Sequence, residues 1–323
     1  MDISSKLSTC ALIAHSPLAE KGEDSYAYDF TQPRVHAQAV FDGCGGAGAW
    51  PYAEFGNASG AYVAAQAMAD AFRTWSARLA PGMPAAEMAE SFRVLAQDTL
   101  TGLKDKCAPM GVSGSLGKAF PCTAAVAVQQ MASLNRMTLT TLNAGDSRVY
   151  YLTPDDGLVQ VTRDESRGNP DPMQSLRDSA PLSNLLNADK PFRVTPFRVE
   201  LPLPCAVICC SDGMFGFLRS PMDFEHLLLH TLLHARTIAE FEQEFRSQIA
   251  AVTGDDSTCV ISFYGWKDMT HIRTSLKRRY EYISRVVGQL NAIHDDRAAL
   301  ESALVAHWQI YRKDTLAYER QEG

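Results

Sequence analysis

Acidic residues stand beside glycines at five places in the chain, each next to an apolar segment. They are Glu23 and Asp24 after Gly22, Asp42 before Gly43, Asp146 after Gly145, Asp212 before Gly213, and Asp255 and Asp256 after Gly254. A single pairing of this kind indicates only a turn. If the apolar segments are neighbouring strands, the carboxylates converge, and converging buried anions repel one another unless a cation joins them. The spacing alone leaves both interpretations open: separate turn residues, or one metal site.

The donor atoms of such a site would all be oxygens. No histidine or cysteine is spaced as a partner, and the eight cysteines contain no Cys-x-x-Cys pair. Oxygen ligands suit Mg²⁺ or Mn²⁺ rather than zinc or copper. Free cysteines in an apolar run such as LPLPCAVICCSDG behave as small hydrophobic residues, which is typical of a reduced protein.

Composition and charge exclude several classes of function. The 323 residues are 46% hydrophobic and 21% charged, and the net charge of −7 offers no basic surface for nucleic acid. No apolar run reaches the roughly 20 residues that span a bilayer, and the first residues do not form the pattern of a signal peptide. We therefore expect a cytoplasmic protein that contacts neither membrane nor nucleic acid.

The glycines after Asp42 raise a rival interpretation. Gly43, Gly45 and Gly48 spell the dinucleotide-binding pattern G-x-G-x-x-G. The negative charge of Asp42, directly before them, would repel a pyrophosphate, so this interpretation is weak.

Hydrophobic spacing predicts an α+β fold with antiparallel sheets and helices packed outside them. Strands are predicted at 35–41, 123–128, 137–144, 149–153, 158–162, 194–201, 206–213 and 257–266, and helices at 58–72, 85–104 and 238–252. Residues 167–200 contain an irregular, Pro- and Asn-rich segment. Beyond Trp266 two apolar stripes predict a helical hairpin of about 55 residues, with Asp295 and Asp296 as caps. We therefore divide the chain into residues 1–265 and a C-terminal helical appendage, residues 266–323.

Eight sequence blocks follow one another in a characteristic order. They are GEDSYAY (22–28), VFDGCGG (40–46), ASGAYVAAQAM (58–68), CTAAVAV (122–128), LNAGDSRVYYL (142–152), LVQVTRDES (158–166), VICCSDGMFGFL (207–218) and GDDSTCVISF (254–263). This succession resembles the metal-dependent Ser/Thr protein phosphatases, the PPM or type 2C family, in its bacterial form. The resemblance implies a four-layer sandwich, with two central antiparallel β-sheets flanked by α-helices and a two-metal centre at one edge.

The resemblance also implies a ligand set and a mechanism. Asp42 would bridge two metals, the Gly43 carbonyl would ligate one, Asp212 and Asp255 would hold one, Glu23 or Asp24 the other, and Asp146 would belong to a third metal site. The implied cofactors are two Mn²⁺ or Mg²⁺ ions, with the third left open. A water bridging the metals would attack phosphoserine or phosphothreonine, which implies a hydrolase in signalling, a protein phosphatase of type 2C.

Two positions depart from the family pattern. Cys44 stands where members carry a His, proposed as a general acid, or a Met. We interpret it as a space-filling residue, and a redox-sensitive thiol is the alternative. Ala19 replaces the usual phosphate-binding Arg, so the phosphate-binding residue is unknown, with Lys21 and His15 as candidates.

The expected partner is a phosphoprotein, either a Ser/Thr kinase or its target. A homodimer or kinase contact through residues 266–323 would cover the apolar stripes of the appendage, unless the body of the chain does so. The rival function is a phosphatase-like regulatory module with little activity that binds a kinase through these helices. The missing Arg favours that rival, and the retained acidic residues argue against it.

Overall fold

The computed structural model of the chain describes residues 7–17, 22–107, 118–168, 171–177, 180–294 and 296–322. Within these ranges the strands are β1 (Leu7–His15), β2 (Ser25–Asp29), β3 (Val35–Phe41), β4 (Pro51–Tyr52), β5 (Ala58–Ser59), β6 (Ala124–Met131), β7 (Arg136–Ala144), β8 (Arg148–Thr153), β9 (Gly157–Gln160), β10 (Thr195–Pro202), β11 (Cys205–Cys210) and β12 (Ser257–Tyr264). The helices are α1 (Gly45–Gly48), α2 (Gly60–Ser76), α3 (Ala85–Lys104), α4 (Pro172–Ser175), α5 (Pro221–His234), α6 (Ile238–Ala250), α7 (Met269–Asn291), α8 (Arg297–Thr315) and α9 (Ala317–Glu322).

Two five-stranded antiparallel sheets form the centre of the molecule. The first sheet has the order β1-β12-β11-β8-β9, and the second has the order β10-β7-β6-β3-β2. Apolar side chains of α2 and α3 pack on the outer face of the second sheet, and those of α5 to α8 pack on the first. A third apolar cluster lies between the sheets. The predicted four-layer α+β sandwich is thus confirmed.

Strand β3 shows how the two sheets are joined. Its predicted apolar face packs against α2 and α3, but the opposite face is buried as well. Gln38 lies there, and its Nε2 donates to the carbonyl oxygens of Val207 and Val260 at 3.1 and 3.0 Å. Its Oε1 accepts from Ser262 Oγ at 2.6 Å. The opposite sheet satisfies this buried amide, a long-range contact that hydrophobic periodicity does not predict.

The sequence analysis missed β1, β2 and α5, as well as the short elements β4, β5, α1 and α4. Helix α5 does carry a local start signal, because the hydroxyl of Ser220 accepts the Asp223 N–H at 3.2 Å and Pro221 occupies the first turn. The helix is buried around most of its circumference. It therefore lacks the clear polar face by which a surface helix is recognised.

One side of α5 carries three histidines that meet α7. His226, His230 and His234 are four residues apart, and the ring of each contacts Tyr280 of α7. His230 Nδ1 and the Tyr280 hydroxyl share a hydrogen bond of 2.8 Å. Burial lowers the pKa of His226 and of His230, and the neighbouring histidine lowers it further. The contact between the two helices therefore favours neutral imidazoles.

The body of the chain covers the apolar stripes of the C-terminal helices. Leu276, Ile283 and Trp308 belong to the same apolar cluster as α5 and the outer face of the first sheet. The helical prediction is confirmed, and Asp296 caps α8 by accepting the Ala299 N–H at 2.9 Å, whereas Asp295 lies outside the described residues. The division of the chain at residue 265 stays a prediction. No described helix is long and apolar enough to cross a membrane.

Candidate metal centre

Three aspartates converge at one edge of the sandwich. Asp42 follows β3, Asp146 lies in the turn between β7 and β8, and Asp212 follows β11 by one residue. One carboxylate oxygen from each lies within 4.8 Å of the other two. Strand order explains this meeting, because β3 and β7 lie in one sheet, β8 and β11 in the other, and all four segments reach the same edge. The convergence that the spacing left open is therefore a property of the fold.

Further acidic residues line the cavity that these aspartates share. The cavity has a volume of about 270 Å³, and its lining includes Glu23, Asp255 and Asp256 besides the three aspartates. A wider groove of about 690 Å³ begins at Glu23, Asp255 and Asp256 and continues past Ser59 and Tyr62. The carboxylates are thus reached from solvent through a groove large enough for a polypeptide segment.

Glycines allow the acidic segments to approach one another. A Cβ at Gly43 would lie 2.7 Å from the carbonyl oxygen of Ala61 and 2.8 Å from that of Glu23. A Cβ at Gly213 would overlap the carbonyl oxygen of Asp256. Any other residue at either position would push the segments apart, so these glycines serve close packing of the backbone.

The pKa values of the clustered carboxyl groups are raised, first by burial and then by one another. The pKa rises to about 6 for Asp212, about 7 for Asp24 and about 8 for Asp146, and that of Asp42 lies well above its usual range. Arg148 opposes the rise for Asp146 and Asp212, but its guanidinium is bound to another carboxylate. Packed anions with this degree of mutual repulsion are stabilised by a bound cation.

Asp24 lies directly beside this cluster. Its Oδ2 accepts a hydrogen bond from Ser211 Oγ at 2.7 Å, whereas its Oδ1 is buried and has no hydrogen-bond partner among the residues that the structure describes. An unpaired buried carboxylate oxygen is costly unless a cation binds it. The oxygen-only donor set and this unpaired atom fit Mn²⁺ or Mg²⁺.

Glu23 and Asp255 lie at the mouth of the cavity rather than among the three aspartates. The Glu23 carboxylate accepts a hydrogen bond from the hydroxyl of Ser59, the N-cap of α2. Its backbone N–H donates to Asp256 Oδ2 at 2.6 Å. Asp255 is exposed, and its charge raises the pKa of Asp212. Asp256 was not assigned a role from sequence, although the acidic pair after Gly254 was visible there.

A family model described as protein phosphatase 2C matches residues 15–250. The chain belongs to the protein phosphatase 2C family. The family inferred from the order of the sequence blocks is thus confirmed. Comparison with curated proteins gave no match.

Solved bacterial members of the family share the fold of this type 2C chain. The catalytic domain of the serine/threonine protein phosphatase PstP, in complex with two manganese ions, is 18% identical with a TM-score of 0.52, over 79% of this chain and 97% of that one. Stp1 from Staphylococcus aureus is 16% identical with a TM-score of 0.57, over 81% and 97%. MsPP from Mycobacterium smegmatis, in complex with cacodylate, is 12% identical with a TM-score of 0.53, over 80% and 99%.

Cys44 is a half-buried thiol at the start of α1 in this type 2C chain. Its Sγ lies 4.0 Å from the Asp42 carbonyl oxygen. Burial, and then the charge of Asp42, raises the pKa of the thiol well above its usual range. Without bound cations, these surroundings disfavour the thiolate on which the redox-sensitive interpretation depends.

The phosphate-binding residue of this type 2C chain stays unassigned. Ala19 and Lys21 lie outside the described residues. His15 ends β1, where it pairs with Ser257, and it lines neither the metal cavity nor the adjoining groove.

Arg148 is fully buried and has a structural role. Its Nε and Nη2 donate to the two oxygens of Asp164 at 2.9 and 2.7 Å, and its Nη1 donates to the Tyr150 hydroxyl at 3.0 Å. The guanidinium also stacks 3.9 Å above the ring of Phe215. These bonds fix the segment after β9 beside the turn that carries Asp146.

Proposed function

We propose that the chain is a metal-dependent protein serine/threonine phosphatase. The observation that carries the proposal is the convergence of Asp42, Asp146 and Asp212 in a cavity that opens into a groove. Family membership supports phosphoric monoester hydrolysis, and the two manganese ions of PstP support Mn²⁺ as a cofactor. The groove of about 690 Å³ beside the carboxylates supports a phosphoprotein substrate, because a bare phosphate needs far less room.

The residues present fit two divalent cations, Mn²⁺ or Mg²⁺. The residues that would hold them are Asp42, the Gly43 carbonyl, Asp212, Asp255, and Glu23 or Asp24, and Asp146 would belong to a third site. When bound, such cations activate a water for attack on phosphorus and offset the charge of the phosphoryl oxygens.

The chain itself holds the carboxylates of the cavity in fixed orientations. The hydroxyls of Ser211 and Ser59 each hold one carboxylate, that of Asp24 and that of Glu23, in a fixed direction. The Thr123 N–H donates to the Asp42 carbonyl at 2.8 Å, which fixes the turn after β3. Preorganised acceptors of this kind need no rearrangement when a cation or substrate arrives.

A chelator experiment tests the proposal. We expect a phosphoserine peptide and an aryl phosphate to be hydrolysed in Mn²⁺, no turnover in excess EDTA, and recovery when Mn²⁺ is restored. Equal turnover with and without EDTA would contradict metal dependence. Binding of Mn²⁺ in calorimetry with no turnover of any phosphopeptide would favour the regulatory module instead.

The regulatory alternative requires the C-terminal helices to be available to a kinase. Their apolar stripes are covered by the body of the same chain, which removes the main reason to expect a partner there. A homodimer or kinase contact through the polar faces of residues 266–323 stays a prediction.

A further inference from the structure

A ribbon beside the metal cavity connects it to the C-terminal helices. We call its described residues, 166–168, 171–177 and 180–187, the flap. At the base of the flap Ser166 pairs with Leu182, and the Arg167 N–H donates to the Pro181 carbonyl at 2.9 Å. Leu182 lines the metal cavity. The base of the flap is therefore part of the wall that a substrate meets.

The base is also bonded to the turn that carries Asp146. The Glu165 N–H donates to the Gly145 carbonyl at 2.9 Å, and the Ser183 N–H donates to the Glu165 carbonyl at 2.8 Å. On the other side Leu186 exchanges two backbone hydrogen bonds with Cys122, at 3.1 and 3.0 Å. Displacement of the flap would thus move the wall of the metal cavity.

The tip of the flap is held by α8 through Asp171 and through an ion pair between Arg177 and Glu301. Asp171 Oδ1 accepts the N–H groups of Met173 and Gln174 at 2.9 and 3.0 Å, and so caps α4. Its Oδ2 accepts from Trp308 Nε1 at 3.2 Å and from Arg312 Nη1 at 3.0 Å. Because α4 has only four residues, it is not stable alone and depends on these contacts for its place.

We propose that Trp308 and Arg312 are positioning residues for hydrolysis of large substrates, because they hold the flap in place through Asp171. This inference rests on the proposed phosphatase function. Both substrates place a phosphoryl group in the metal cavity, but only a phosphopeptide has polypeptide on both sides of that group, which must pass the cavity wall that includes Leu182. Release of the flap tip therefore weakens peptide binding and leaves the metal cluster intact.

Conservative variants test this link. Trp308→Phe keeps a buried aromatic ring, although a smaller one, and removes the N–H donor, and Arg312→Gln removes the charge. We expect the double variant to raise the KM for a phosphopeptide about 10-fold, as loss of hydrogen bonds to a charged group does. The kcat for an aryl phosphate in saturating Mn²⁺ should stay within about 2-fold. Amide hydrogen exchange over residues 171–177 should become faster.

Glu319→Gln is the matched control, because it removes the other ion pair of Arg312 and leaves Asp171 untouched. We expect its KM and its exchange to match the wild type. An unchanged KM and unchanged exchange in the double variant would overturn the proposal. So would an equal loss for both substrates accompanied by a lower Tm, which indicates a merely structural role. If the wild type hydrolyses nothing, the phosphatase function fails, while the exchange experiment still reports whether α8 holds the flap.

Discussion

Buried carboxylates are accommodated in two opposite ways in this molecule. Asp164 and Glu225 are each paired with an arginine by two hydrogen bonds, at 2.9 and 2.7 Å from Arg148 and at 2.7 and 2.7 Å from Arg279. The aspartates of the metal cavity face other carboxylates instead, and burial, reinforced by this mutual repulsion, raises their pKa values.

The contrast is sharpest around Arg148, which is two residues from Asp146 and yet is bound to Asp164. Where a carboxylate has a structural role, the fold supplies its counter-charge from within the chain. At the cavity, Arg148 is bound to Asp164, so the repulsion among the cavity aspartates is not neutralised. An uncompensated cluster that opens to a groove is what a site for external cations requires.

The largest effect is expected from removing a charge in the cavity. Asp42→Asn or Asp212→Asn should lower kcat in saturating Mn²⁺ by about 10³-fold or more, because each variant loses a cation ligand. In EDTA the Tm should stay equal or rise, since mutual repulsion falls. Asp70→Asn, an exposed surface change on α2, serves as the control and should alter neither quantity. A large drop of Tm for either variant in EDTA would show that the cavity aspartates stabilise the fold, as Asp164 does.

The opposite result is expected at a paired carboxylate. Arg279→Met leaves Glu225 buried without its cation and should reduce the free energy of unfolding by about 3–5 kcal/mol in urea titrations. Lys277→Met on the same helix breaks only an exposed pair with Glu281, so a change below about 0.5 kcal/mol is expected. Adding Glu225→Leu to Arg279→Met should recover part of the loss. No recovery would mean that the Leu158 N–H, which Glu225 also accepts, matters more than the ion pair.

A smaller effect is expected at Cys44. Its thiol contacts the Asp42 carbonyl and fills space beside α1, so Cys44→Met should keep kcat for an aryl phosphate within a few-fold. If the thiol donated a proton to the leaving group, the loss would be about 10²-fold. A pH–rate profile of wild type and variant separates the two roles. Peroxide inactivation that disappears in Cys44→Ser would instead support a redox role.

The smallest effect concerns the histidines on α5. The fold lowers the pKa of His226 and His230, so their contribution to stability is complete above the ordinary value of 6.5 and is lost as the pH falls through the lowered values. The groups around them are Asp223, Glu225, Glu244, His234 and Tyr280. Replacing both histidines by glutamine should therefore flatten the decline of Tm between pH 7 and acidic pH. Exposed His294→Gln should leave the decline unchanged, and equal slopes in all variants would refute the assignment.

The acidic residues and their glycines could be predicted from sequence, because each pairing is local and its position beside an apolar segment is visible. The contacts that hold the acidic residues in place could not be predicted from sequence. Ser211 and Asp24 are 187 residues apart, and Glu23 and Asp256 are 233 apart, so no local pattern joins them. The sequence also does not show what packs on the apolar stripes of the C-terminal helices, because such a stripe has the same spacing whether its own chain or a partner covers it. Helix α5 escaped notice because it is buried on most sides.

Strand β1 has a consequence for the order in which the protein is made. It pairs only with β12 within the first sheet, from Leu7 opposite Tyr264 to His15 opposite Ser257. Glu23 and Asp24 follow β1, and Asp255 and Asp256 directly precede β12. During synthesis on a ribosome, Glu23 and Asp24 therefore reach their final positions only after β12, the last strand of the sheet, has been made. In a nascent chain or a fragment that stops before residue 257, Glu23 and Asp24 lack the strand that positions them, so the carboxylate cluster is complete only after the first sheet has closed.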